Sequence, residues 1–155
     1  MKMKAVVYEK YGPPAKVLQL KDMDKPVPND DEVLIKIFAS SVNIEDLDYL
    51  KGDSWAVRML GPLKPKYHTL GFDVAGKVEA IGTAVTQFKP GDEVMGDLFN
   101  FGFGAFAEYV CAPEKALVKK PVNITFEQAA TLPSRIILPC RVFVVKDQSS
   151  LDKGY

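Results

Sequence analysis

"LGFDVAGKVEAIGTAVTQFKPGDEVMG", Leu70 to Gly96, decides how this chain is read. Within and just beyond it, "VEAIGTAV" and "DEVMGDL" alternate apolar and polar residues with period 2, the pattern of half-buried strands. Between them, "FKPGD" is a turn: Pro90 presets φ, and Gly91 accepts the positive φ of a type II turn. Ahead of the pair, Gly71 and Gly76 bracket Phe72-Asp73, and the single histidine, His68, stands three residues before Gly71. The stretch therefore poses a choice between a metal site and a turn that positions something else.

The same period extends outward. "MKAVVYE" (3–9), "VLQLKDM" (17–23), "AFAEYVCAP" (105–113) and "ALVKKP" (116–121) read as further strands. "EVLIKIFAS" (32–40) is the strongest, with Val33, Ile35 and Ile37 on one face and Leu34, Lys36 and Phe38 on the other. Two segments read as helices. "SVNIEDLDYLKG" has an Asn43 cap, acidic residues in its first turn and a Gly52 stop, whereas "TFEQAATLP" pairs a Thr125 cap with Gln128 and ends at Pro133. Many short strands between Gly/Pro turns predict a mainly β chain, a small barrel or sandwich with a few short helices.

Composition narrows the function classes. The 155 residues are 47% apolar and 26% charged, the balance of one globular domain with an ordinary core. Twenty basic residues offset twenty acidic ones, so neither nucleic acid nor a membrane is an expected partner. Cys111 and Cys140 are far from any CxxC spacing, and the start "MKMKAVVYEKYG" lacks the apolar core of a signal peptide; a cytoplasmic location is expected.

The motifs that could carry chemistry mostly fail. One histidine and two distant cysteines do not supply the three or four ligands of a zinc site, so His68 is expected in a loop. "GFGAF" (102–106) lacks a third glycine and a following helix, so Gly102 and Gly104 mark a tight turn rather than a dinucleotide fingerprint. Ser40, Ser41 and Ser54 have no nucleophile elbow or His-acid relay. Asn43 and Asp46, three apart on the first helical turn, share a face and read as helix capping, ahead of a direct functional role.

Taken in order, "MKAVVYEKYGPP", "EVLIKIFASSVNIEDLDYLKG", "LGFDVAGKVEAIGTAVTQFKPGDEVMG", "GAFAEYVCAPEKALVKKP" and "TFEQAATLP" resemble the N-terminal GroES-like catalytic domain of the medium-chain dehydrogenase/reductase superfamily. The resemblance implies a GroES-like, partly open barrel. Zinc alcohol dehydrogenases of that superfamily carry a ligand histidine in a Gly-His-Glu sequence, where Gly71-Phe72-Asp73 stands here, and the catalytic cysteine position falls near Ser40 to Val42. The chain thus resembles the zinc-independent branch of quinone oxidoreductases and enone reductases. In that reading Gly71, Asp73 and Gly76 form a structural turn, Asp73 anchoring the loop through backbone or basic partners and Gly76 allowing close strand approach.

The resemblance also implies NADPH as cofactor, a quinone or enone as substrate, and Asn43, Asp46 and Tyr49 at the cleft between the two; it names no catalytic residue. The match departs from the family at Asp48, where an aromatic is usual and Tyr49 is shifted by one, at Leu50 in an arginine position, and at Leu138-Pro139. Residues 1–133 are expected to be the GroES-like domain and 134–155 a C-terminal extension, with no Rossmann domain following, so that the chain alone does not turn over. The alternative is a non-enzymatic GroES-like binding or interaction module. "RVFVV" (141–145) reads as a strand or a poorly anchored apolar tail; it either pairs with its own copy in a homodimer or folds back over its own barrel.

Overall fold

The computed structural model describes residues 1–133 and 143–146. Its organising strand is β3, Glu32–Val42, the apolar run that the sequence marks most strongly. β3 pairs antiparallel with β4 (Asp73–Ile81) along one edge. Along its other edge it pairs first with β6 (Tyr109–Pro113), through Glu32–Lys36, and then with β8 (Phe143–Lys146), through Ala39–Val42. β5 (Glu93–Asp97) and β7 (Leu117–Lys119) continue the sheet in the order β6-β3-β4-β5-β7. A ribbon of β1 (Lys2–Val7) and β2 (Gln19–Asp24) forms a second antiparallel sheet, bridged to the body at Ala5–Ala107 and Val7–Thr69. Two antiparallel sheets joined by such bridges, with few short helices, make the partly open GroES-like barrel.

Four helices are appended among the described residues: α1 (Pro14–Val17), α2 (Ile44–Lys51), α3 (Trp55–Leu60) and α4 (Phe126–Ala129). α2 and α4 start at the expected caps, Asn43 and Thr125, and Thr125 exchanges hydrogen bonds with Gln128. α2 stops at Gly52, which lies in the left-handed region. The core inside the main sheet is built from Val33, Ile35, Val74, Val94, Leu98 and their neighbours. α4 closes one end by laying Ala129 and Ala130 on Ala39 and Ala75, where small side chains let a helix lie close against the sheet.

Several boundaries differ from the sequence reading. Asp73 and Gly76 lie inside β4 rather than in a turn ahead of it, and the strand ends at Ile81 instead of Val85. The register of β3 explains this, since it pairs Val74 to Ile81 with Ser40 to Val33, leaving out only Glu79 and Phe38 at two register shifts. A Cβ on Gly76 would fall 2.1 Å from the Lys36 carbonyl oxygen, so glycine lets β4 lie close against β3 there. Val17, expected in a strand, closes the single turn of α1, because Pro14 at its start favours a helical first turn. α3 was not anticipated. Nor does β3 alternate cleanly, since Val33, Leu34 and Ile35 are all buried between layers. Phe143–Lys146 forms a strand on the chain's own β3; the other residues of the C-terminal extension, Leu138-Pro139 included, lie outside the described residues.

Candidate functional site

The start of α2 and the start of β4 meet in one buried polar cluster. The Asp46 carboxylate joins them: Oδ2 accepts the Asn43 backbone N–H and Oδ1 accepts the Gly71 N–H, both at 2.9 Å. Gly71 turns the chain there at φ 85°, a conformation that favours glycine. Asp46 therefore acts at the N-terminus of its own helix and also fastens a loop 25 residues away. Burial pushes its carboxyl up to about 7, against the two N–H groups that favour the charged form and with the neighbouring Asp73 charge adding to the rise.

Asp73 is the second carboxylate of the cluster. Ser41 Oγ donates to its Oδ2 at 2.5 Å, and Asn43 Nδ2 donates to the same oxygen at 2.8 Å. Asn43 Nδ2 also donates to Ser41 Oγ at 3.1 Å, while Ser40 Oγ donates to the Asp73 carbonyl at 2.7 Å. Hydroxyl and amide side chains thus hold Oδ2. The single Ser41 proton goes to Asp73, so Ser41 can only accept from Asn43, which fixes the orientation of the amide. The two acceptors lie 2.5 Å apart, so one amide N–H is shared between them.

The expected cleft residues are thereby divided. Asn43 and Asp46 are buried and bonded within the cluster. Tyr49 is half-buried and belongs to a different feature, an aromatic wall that the sequence reading missed. Its ring lies 4.8 Å from Phe103, 6.1 Å edge-on from Phe99 and 6.4 Å from Tyr67. Phe72 packs at 5.4 Å edge-on to Phe99 and 6.0 Å from Phe103. Phe103 reaches the wall from a left-handed backbone (φ 64°) between Gly102 and Gly104, so the glycine pair read as a tight turn aims a ring. Only that turn, flanked by phenylalanines, could have signalled it.

These residues do not suit a metal. Phe72 stands where the resemblance places a zinc-ligand histidine, its ring spent on Phe99 and Phe103. Among the described residues no group of three or more His, Cys, Asp or Glu side chains is arranged to share a metal ion. His68 is exposed, with Nδ1 3.4 Å from the Tyr8 carbonyl. Cys111 is half-buried, and burial, helped by Glu32, pushes its thiol up to about 12, too high for a nucleophile. Nor do the described residues suit the phosphates of NADPH. Every strand pair is antiparallel, so no strand–glycine loop–helix unit of the dinucleotide-binding kind is present among them. A cavity of about 460 Å³ lies between the ribbon and the main sheet, bounded by Tyr8, Leu20, Ile37, Leu50 and Phe106 and reached by Asp46.

Comparison with known proteins places this geometry. The spinach protein named quinone-oxidoreductase homolog, chloroplastic, is 38% identical over 133 residues, 84% of this chain and 39% of its own length. The Arabidopsis thaliana protein named NADPH-dependent alkenal/one oxidoreductase, chloroplastic, is 40% identical over 141 residues, 86% of this chain and 35% of its own length. The solved quinone oxidoreductase of Coxiella burnetii superposes with a TM-score of 0.78 at 36% identity, over 86% of this chain and 42% of that one. The chain therefore spans about two fifths of the length of these relatives. The plastid names overturn the expectation of a cytoplasmic location. Charge balance and cysteine spacing do not distinguish one reducing compartment from another. Among the described residues no helix is long and apolar enough to cross a membrane. The family model of the alcohol dehydrogenase GroES-like domain matches residues 29–122, and this chain belongs to that family, in its quinone-oxidoreductase-like branch.

Proposed function

We propose that the chain is the substrate-side domain of a zinc-independent oxidoreductase that reduces quinones or enones with NADPH. The observation that carries this reading is Phe72. An aromatic ring takes up the ground where the resemblance places a zinc-ligand histidine, in a chain akin to quinone and alkenal/one oxidoreductases. The cofactor would supply the hydride, and this chain's residues would supply shape. Asp46, Asn43, Ser41 and Asp73 hold the start of α2 against the start of β4, and that fixes Tyr49 and Phe72 within the aromatic wall. A planar quinone or conjugated carbonyl matches rings of this kind through stacking.

Residues 1–133 form the GroES-like unit in this proposal and 134–155 a connector. The nucleotide phosphates need a site that the described residues do not offer, so the chain by itself leaves NADPH unconsumed. The test is to follow NADPH oxidation with a simple quinone and with an unsaturated aldehyde. The chain alone should stay at the background rate, and the same chain fused to the nucleotide-binding portion of the spinach relative should exceed it. Turnover by the chain alone would refute its dependence on a second domain. A folded, NADPH-binding fusion that reduces neither compound would refute the substrate class.

A further inference from the structure

The lobe between α2 and β4 displays apolar side chains to solvent while being pinned firmly to the body. Tyr11 is the pin. Its hydroxyl donates to the Gly61 carbonyl at 2.7 Å, and the Arg58 guanidinium stacks 4.2 Å above its ring. Arg58 Nε in turn donates to the Gly52 carbonyl at 2.7 Å, and Val57 is the buried residue of α3. Around that anchorage Trp55 is 75% exposed, Met59 74%, Leu60 47% and Leu63 90%. Trp55 and Met59 are one helical turn apart on α3, so the outward face is continuous. Singly exposed apolar residues need no explanation, but a tryptophan, a methionine and two leucines held on one anchored lobe do.

Charge identifies what the lobe meets. Residues 51–66 carry four basic side chains, Lys51, Arg58, Lys64 and Lys66, against the single acid Asp53. No ion pair among the described residues uses any of the four. The neutral total of the chain conceals this, because the balancing acids lie elsewhere in the sequence. An apolar tip led by tryptophan and flanked by lysines matches an anionic lipid surface. The rings and aliphatic chains enter the headgroup boundary, and the ammonium groups stay at the level of the phosphates. We propose that the Trp55–Leu63 lobe docks this protein peripherally on membranes containing anionic lipid. The proposal is independent of the reading of substrate and cofactor.

Trp55 is the only tryptophan of the chain and so reports its own environment. The intact chain is titrated with vesicles of phosphatidylcholine containing phosphatidylglycerol, and with vesicles of phosphatidylcholine alone. Tryptophan emission and co-sedimentation are both read. The expected result is a blue shift and co-sedimentation with the anionic vesicles only, reversed by salt. Replacing Lys51, Lys64 and Lys66 together by Glu keeps the reporter and should abolish both signals. Trp55→Ser with Met59→Ser and Leu63→Ser should cut sedimentation by roughly tenfold or more. These side chains are exposed, and circular dichroism confirms that each variant is folded. The proposal is overturned by an unshifted spectrum with anionic vesicles, by equal binding to neutral ones, or by full binding of either variant. A blue shift without vesicles that grows with protein concentration would also overturn it, assigning the face to a second copy of the chain.

Discussion

Asp46 is a residue whose two duties pull in opposite directions. Its carboxylate must accept two backbone N–H groups, yet its burial opposes the charge that makes it a good acceptor. In the folded chain it titrates near 7, and in the unfolded chain near the ordinary value of about 3.9. A raised carboxyl pKa means that the folded state binds more protons, so this group's stabilising contribution is complete at low pH and is lost as pH rises towards 7 and beyond. Between pH 5 and pH 8 the loss amounts to about 2–3 kcal/mol. Asp46→Asn removes the titration but offers one acceptor oxygen to two donors, and that costs about 1–3 kcal/mol at every pH. Urea titrations at the two pH values should therefore show a steeper fall for the parent than for the variant. Equal falls would mean that Asp46 does not carry the pH dependence.

At the scale of elements, β3 and β4 form the most consequential contact, and Gly76 sits on it with no room for a side chain. A methyl group at that position meets the Lys36 carbonyl, part of a strand held on both edges by β4, β6 and β8 and therefore unable to yield. Gly76→Ala should cost about 3 kcal/mol or more, by the logic of overpacking against backbone rather than against a flexible side chain. Thermal unfolding followed by circular dichroism provides the check. A melting temperature within about 2 °C of the parent would show that the two strands can part without penalty.

At the scale of the whole molecule, the donor set sets the expectation for metal. With Phe72 committed to the aromatic wall and Asn43 to Asp73, the chain should retain well under one zinc per molecule after dialysis. Elemental analysis decides the matter, and stoichiometric zinc that survives dialysis would contradict this account of the site. What the sequence determined by itself was local: the strands by their period of two, the Pro90-Gly91 turn, and the helix starts at Asn43 and Thr125. Each depends on φ preferences and hydrogen bonds spanning a few residues, which composition and spacing record directly. The order of those motifs was legible as well, as a resemblance to a GroES-like domain. Only the tertiary structure decided that Asp73 meets Ser41 and Asn43, that Tyr49 and Phe72 share a wall with Phe99 and Phe103, and that Trp55, Met59 and Leu63 stand exposed on one anchored lobe. The first two join residues some thirty positions or more apart through the register of β3 on β4 and the path of the loop after β5, and a one-residue slip of such a ladder would turn every side chain to the opposite face.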